Sequence, residues 1–171
     1  SFIIKSLDLI LKEFPIFNSS LDQKNNKLIL KKYFNIGIAV DTKDGLVVPV
    51  IQNISTKSIE QINTELINLS KKARAKKLMP KDMSGGSFTI SSLGGIGGTY
   101  FTPIINAPEV AILGISKMEN KLFFENKKYI NKIILPLSLS YDHRVIDGAD
   151  AARFTTKLSE ELSNLDKLKN G

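Results

Sequence analysis

The residues best suited to chemistry gather in one short stretch. Positions 137–148 read Leu-Ser-Leu-Ser-Tyr-Asp-His-Arg-Val-Ile-Asp-Gly. An alternating, strand-like pattern ends at Tyr141. Asp142, His143, Arg144 and Asp147 then crowd a turn, and Gly148 permits a tight backbone before the next helix. His143 is the only histidine of the chain. Imidazole is the side chain whose ordinary pKa lies nearest neutrality, so it can take a proton and return it. Asp147, four residues on, is placed to fold back toward His143 or to brace the backbone. The same residues would also make a purely structural turn held by Asp–Arg pairs. On residue types alone both readings stand.

Other chemistries are excluded by composition. There is no cysteine, so a disulfide framework, a thiolate metal site and a cysteine nucleophile are ruled out. One histidine does not make a multi-histidine metal site. The run Gly94-Gly95-Ile96-Gly97-Gly98 lacks the Lys-Ser/Thr of a phosphate loop and the spacing of a dinucleotide fingerprint. It reads instead as a loop beside a substrate channel. The formal charge of +7 favours anionic partners, yet it comes almost wholly from lysine, with Arg74, Arg144 and Arg153 the only arginines. No basic strand interleaved with aromatics and no recognition helix supports nucleic-acid binding. No apolar run reaches the ~20 residues that span a bilayer. Segment 1–14 carries Lys5, Asp8, Lys12 and Glu13, so it is no signal peptide. The chain opens at Ser1 inside a helical pattern, which predicts a protein that extends upstream.

Interleaved helices and strands must position the turn. Phe2, Ile3, Leu7, Ile10, Leu11 and Phe14 recur at helical spacing until Pro15 stops them. A polar turn at 22–26 separates short apolar stretches. Residues 34–40 and 46–51 read as strands joined by the Asp44-Gly45 hairpin signal, with Pro49 demanding an edge or a bulge. Ser58 and Gln61 form a capping box for a helix to about Lys77, with Ile59, Ile62, Leu66 and Leu69 as its buried stripe. Lys71, Lys72, Arg74, Lys76 and Lys77 crowd its end, where cations complement the helix dipole, and they read as a solvated face. Strands follow at 86–92, 110–115 and 133–140, with a long glycine- and proline-containing loop reaching Pro108. A last helix turns Ala151, Phe154, Leu158, Leu162 and Leu165 inward. This is one α/β domain over 1–171 with a mixed sheet.

At 142–148 the sequence resembles the His-x-x-x-Asp-Gly signature of the dihydrolipoyl acyltransferases, the core components of 2-oxo acid dehydrogenase complexes. Chloramphenicol acetyltransferases share the shorter form of that signature. The resemblance continues through Asp44-Gly-Leu-Val-Val-Pro-Val50, through Gly86-Ser-Phe-Thr-Ile-Ser-Ser-Leu-Gly-Gly-Ile-Gly-Gly-Thr99, and through Phe101-Thr-Pro-Ile-Ile-Asn-Ala-Pro-Glu-Val-Ala-Ile-Leu-Gly114. It covers nearly the whole chain in the family's order.

The resemblance implies a two-layer sandwich of the chloramphenicol acetyltransferase-like type, here truncated at its N-terminus. It implies that His143 is the general base for the thiol of coenzyme A or dihydrolipoamide, and that Ser91 donates to the tetrahedral oxyanion. Ser92 is the alternative, and strand alternation sends the two to opposite faces. Asp147 matches a position filled by Asp or Asn, with a structural or orienting role. Coenzyme A and acetyl-CoA would be substrates, and the lipoyl group would ride on a separate domain. The segments around Pro108 and Ile146 look most like the acetyltransferase of pyruvate dehydrogenase complexes, with succinyl- or branched-chain transferases as alternatives. The family forms trimers, with each active site at the junction of two subunits, and these build cores of 24 or 60 chains. Partners would be a decarboxylating dehydrogenase, a lipoamide dehydrogenase and lipoyl domains. The location would be bacterial cytoplasm, with mitochondrial or plastid origin open. Rival readings are an antibiotic O-acetyltransferase, a non-catalytic scaffold and a nucleic-acid binder.

Overall fold

A computed structural model describes residues 1–164, so Leu165 of the expected helix stripe lies outside the described residues. Helix α1 (Phe2–Glu13) buries Ile4, Leu7, Ile10 and Leu11, and Pro15 begins a short 3-10 turn after it. Ile4 rather than Phe2 completes the stripe, because Phe2 is left exposed. Strands β1 (Ser19–Asp22) and β2 (Lys27–Leu30) flank the polar turn as a small hairpin.

Strand β3 (Ile36–Thr42) pairs antiparallel with β4 (Gly45–Val47) and β5 (Val50–Ile51). The expected single strand 46–51 is split at Pro49. That residue has no N–H to offer a ladder, but its carbonyl still accepts from Ile38 N–H at 2.8 Å. Helix α2 (Ile59–Arg74) opens on the Ser58–Gln61 capping box and ends earlier than Lys77, with Lys76 in the left-handed region. Ile62, Leu69 and Ala73 are its buried residues, while Ile59 and Leu66 are half-buried. Of the lysines at and just past its end two have partners, Lys72 with Asp82 and Lys76 with Asp44.

Strands β6 (Phe88–Ser92) and β7 (Ala111–Ile115) add in parallel to β3. The expected strand 133–140 proves to be two. Its first part belongs to a separate hairpin of β8 (Glu119–Glu125) and β9 (Lys128–Ile134). Its second part, β10 (Leu137–Tyr141), pairs antiparallel with β7. Pro136 makes the break, since it lacks a donor for either ladder, and its carbonyl takes Ser116 N–H at 3.1 Å. Helix α3 (Gly148–Ser163) closes the fold.

The main sheet is mixed, in the order β10-β7-β6-β3-β4 with β5 also on β3. Its two faces differ sharply. Ile36, Ile38, Phe88, Ile90, Leu113, Leu137 and Leu139 share one face and pack with α1, α2 and α3 into the core. Phe154 of α3 stacks on Phe17 at 4.2 Å and on Phe88 at 5.9 Å. Each such fully buried side chain contributes roughly 1.5–3 kcal/mol. The other face carries two cross-strand rows, Gly37-Thr89-Ile112-Ser140 and Ala39-Ser91-Gly114-Ser138. These are mostly small or hydroxylated residues, and no helix among the described residues covers them.

Candidate functional site

The turn that bears His143 is held on three sides. Asp142 N–H donates to the Val110 carbonyl at 2.8 Å, tying the turn to the chain just before β7. The Asp142 carbonyl accepts from Val145 and Ile146, and Ile146 is fully buried in the core. Asp147 is the N-cap of α3, its carboxylate accepting from Asp150 N–H at 2.8 Å, which satisfies one orphan donor of the first helical turn. Gly148 starts the helix with no positive φ, and a Cβ there would meet only the Tyr141 hydroxyl at 3.9 Å. The expected need for a tight glycine backbone is therefore not met at that position.

Charge completes the turn. Arg144 makes a two-pronged pair with Asp142, Nε at 2.9 Å and Nη2 at 2.6 Å from its two oxygens. This hydrogen-bonded guanidinium holds the Asp142 carboxyl below the usual carboxylate range. With its amide assigned so that the oxygen faces Arg144, Gln23 accepts from both guanidinium nitrogens at 3.1 and 3.3 Å. The β1–β2 turn is thereby joined to the same network. Within it His143 is exposed, and its ring lies tilted 5.6 Å from that of Tyr141. The Asp–Arg pair is real, but it leaves the imidazole free rather than binding it.

Ser91 is half-buried on the helix-free face of the sheet, and Ser92 is exposed on the opposite side at the strand end. Room above Ser91 is set by Gly114, whose Cβ would lie 2.9 Å from Phe101 Cζ and 3.2 Å from Pro103 Cδ. The loop 101–110 thus runs over that face from the Ser91 row to the His143 end. The glycine run before it turns with positive φ at Gly97 and Gly98, and a Cβ at Gly95, Gly97 or Gly98 would meet nothing within 4 Å.

The two candidates do not meet within one chain. Ser91 registers with Gly114 and Ser138, whereas Tyr141 registers with Ala111 at the other end of β7. Three residues along a strand and two strand spacings across separate Ser91 from Tyr141 by about 14 Å, and His143 lies farther out. A cavity of about 320 Å³ adjoins the His143 turn, lined among others by Gln23, Pro108, Glu109, Asp142 and Arg144. A groove of about 730 Å³ along α2 contains none of the candidate residues. Sequence reasoning passed over Glu109, a single acid heading an otherwise apolar run that lies buried at the edge of the smaller cavity. No helix among the described residues is long and apolar enough to cross a membrane.

The described residues thus form a mixed sheet with helices on one face, a second face of mostly small and hydroxylated residues and a histidine turn at one end. A solved chloramphenicol acetyltransferase superposes with a TM-score of 0.56 at 16% identity, covering 95% of this chain and 78% of that one, which speaks for the fold alone. The chain belongs to the 2-oxoacid dehydrogenase acyltransferase family, whose catalytic domain matches residues 1–169.

It is 58% identical to the dihydrolipoyllysine-residue acetyltransferase component of the pyruvate dehydrogenase complex of Buchnera aphidicola subsp. Acyrthosiphon pisum, over 96% of this chain and 41% of that protein. The chain therefore spans less than half the length of that relative. It is 54% identical, with a TM-score of 0.93, to a solved dihydrolipoamide acetyltransferase of Azotobacter vinelandii, covering 97% of this chain and 68% of that one. That enzyme was investigated for the roles of one serine, one histidine and one asparagine in its catalytic mechanism. A second solved chain, matched with the same identity, coverage and TM-score, is the cubic core of the pyruvate dehydrogenase multienzyme complex.

Proposed function

We propose that the chain is the catalytic part of a dihydrolipoyl acetyltransferase that moves an acetyl group between a dihydrolipoyl thiol and the thiol of coenzyme A. One observation carries the reading. Ser91, His143 and Asp147 stand at the same spacing as the serine, histidine and asparagine investigated in the Azotobacter vinelandii enzyme. The same spacing favours Ser91 over Ser92. Acetyl rather than succinyl or branched acyl groups is supported by the acetyltransferase relatives.

A thiol with a pKa of ~8.5 is mostly protonated at neutral pH, while the thiolate is the nucleophile. The His143 imidazole takes the S–H proton as sulfur attacks the thioester carbon. The carbonyl electron pair moves onto oxygen, and the Ser91 hydroxyl donates to it, a contribution of roughly 2.7–4 kcal/mol. Collapse re-forms the carbonyl and breaks the other C–S bond, and the departing sulfur takes the proton back from the imidazolium. No acyl-enzyme is needed. Asp147 holds α3, and so the turn, in place.

Because Ser91 and His143 lie far apart in one chain, the reading requires a trimer in which His143 of one subunit meets Ser91 of the next. A core of 24 or 60 chains, lipoyl domains, a decarboxylating dehydrogenase and a lipoamide dehydrogenase complete the assembly. That a solved relative is a cubic core supports this. The bacterial relatives support a location in bacterial cytoplasm.

The test is acetyl transfer from acetyl-CoA to dihydrolipoamide by the full-length protein. His143→Ala should lower the rate by about 10²–10⁴-fold. Ser91→Ala should lower it by about 10²–10³-fold, and Ser92→Ala should change it little. Co-assembly of the His143→Ala and Ser91→Ala chains should restore activity, since random assortment leaves about a quarter of the junctions intact. Absence of transfer in the folded, unmutated protein, or a His143→Ala rate equal to it, would end the proposal. Failure of the mixed assembly to recover would end the two-subunit site.

A further inference from the structure

Glu109 heads β7's apolar run, yet it is only 6% exposed. Four segments meet around it. Its Oε1 accepts from Asn106 Nδ2 at 3.4 Å, and its N–H donates to the Asn106 carbonyl at 3.0 Å. Gly86, just before β6, leaves it room, because a Cβ there would lie 2.7 Å from Oε1. The Gly86 carbonyl in turn accepts from Lys31 Nζ at 3.1 Å. Nearby Thr89 is fully buried, and Gly37 makes room for its hydroxyl, which a Cβ would approach to 2.6 Å. Two glycines thus accommodate two polar groups. Among the described residues neither Glu109 Oε2 nor Thr89 Oγ1 has a partner in good hydrogen-bond geometry, although the Thr89 hydroxyl lies near enough to hold the Glu109 carboxyl down. A poorly paired buried polar group is costly, so a cluster kept for packing alone would be unfavourable.

The cluster adjoins the catalytic turn. The carbonyl of Val110, the next residue, is the one that accepts from Asp142 N–H. Glu109, Val110, Asp142 and Arg144 line one cavity. We propose that Glu109 is a positioning residue for His143: anchored to Asn106 and packed against Gly86 and Thr89, it fixes the Val110 carbonyl on which the Asp142–His143 turn hangs. The inference rests on the reading of His143 as the base.

Protonation governs how well the anchor holds. Burial pushes the Glu109 carboxyl up, with Thr89, Lys31 and Asn106 opposing. Burial likewise pushes Lys31 down, with Glu109 opposing. The charged groups facing Glu109 are Lys31 from the segment after β2 and the Asp142–Arg144 pair across the cavity. β6 and the 101–110 loop present Thr89 and Asn106. The Thr89 hydroxyl can donate to an ionised Oε2 and a protonated Oε2 can donate to Thr89 Oγ1, but only ionisation leaves a buried charge beside the turn. Rising pH therefore weakens the positioning as Glu109 ionises.

The experiment follows initial rates of acetyl transfer against pH for the full-length protein and its Glu109→Ala, Glu109→Gln and His143→Ala variants, with melting curves for each. A displaced base predicts a kcat for Glu109→Ala lower by about tenfold or more, with KM for acetyl-CoA within about twofold. Glu109→Gln, which keeps the shape and loses the ionisation, should recover most of the rate lost in Glu109→Ala and lack the decline that follows Glu109 ionisation in the unmutated enzyme. An unchanged kcat in Glu109→Ala, or a Glu109→Gln profile that superimposes on that of the unmutated protein, overturns the proposal. If Glu109→Ala does not fold, the Glu109→Gln profile decides alone. A His143→Ala rate equal to that of the unmutated protein strikes the functional reading instead, so the two failures remain distinct.

Discussion

The two ends of the main sheet place their chemical groups by different means. At one end His143 projects from a turn built by specific bonds: the Asp142–Arg144 pair, the Val110 carbonyl, the buried Ile146 and the Asp147 cap. At the other end Ser91 is placed by strand register alone, with small neighbours that leave its face open. The first arrangement fixes a mobile type of side chain in an irregular backbone. The second needs no special bond, because the ladder has already fixed the backbone. Substitutions should therefore damage the two ends through different physics.

Ile146→Ala should have the largest effect on stability. It empties a fully buried position under the His143 turn, a loss of about 2–5 kcal/mol, read as a lower melting temperature and a fall in transfer rate. Gly114→Val comes next and strikes the Ser91 end. Even its Cβ would stand 2.9 Å from Phe101, so the overlying loop must shift, at a cost of about 1–3 kcal/mol. Here kcat should fall while the His143 turn keeps its geometry, which the histidine's proton resonances would report. Equal loss at both ends in either variant would erase the distinction drawn above.

Smaller effects sharpen it. Asp147→Ala removes the α3 cap and should cost about 0.5–2 kcal/mol in denaturant unfolding, with Asp147→Asn recovering most of it. Arg144→Gln should do least at neutral pH, because the Arg144 guanidinium is largely exposed. Its signature is in acid. Asp142 has a folded pKa below its ordinary 3.8, so it contributes stability that is present above that value and is lost as pH falls through the folded value. The variant should lose that contribution, and its acid-unfolding midpoint should move to higher pH. An identical midpoint would show that the pair does not stabilise the folded state.

The His143 turn was legible because charge, the sequence-unique imidazole and the end of an alternating strand coincide there. The Ser58–Gln61 box and the Pro49 interruption were legible for local reasons of the same kind. The β8–β9 hairpin was not. Its Leu122, Phe124, Tyr129 and Ile133 face outward, so no core-facing periodicity marks it, and its turn uses Asn126 and Lys127 at positive φ where glycine would have announced it. Nor did spacing reveal that Ser91 and His143 lie at opposite ends of the sheet, because register between distant strands is set by tertiary pairing. Glu109 escaped notice because nothing local marks a buried acid, whose surroundings come from four separate segments.

The parallel pairing of β3 with β6 also bears on how the chain folds. Ile36 finds Phe88 across about fifty residues of intervening chain, a closure whose entropy must be met before any ladder bond forms, whereas the β8–β9 hairpin closes over a two-residue turn. Contacts so distant in sequence slow folding. The strand bearing Ser91 joins through a closure of about fifty residues on one side and about twenty on the other, while the hairpin that leads to β10 can form early. The serine's surroundings are thus the later-forming and more aggregation-exposed part of the nascent sheet.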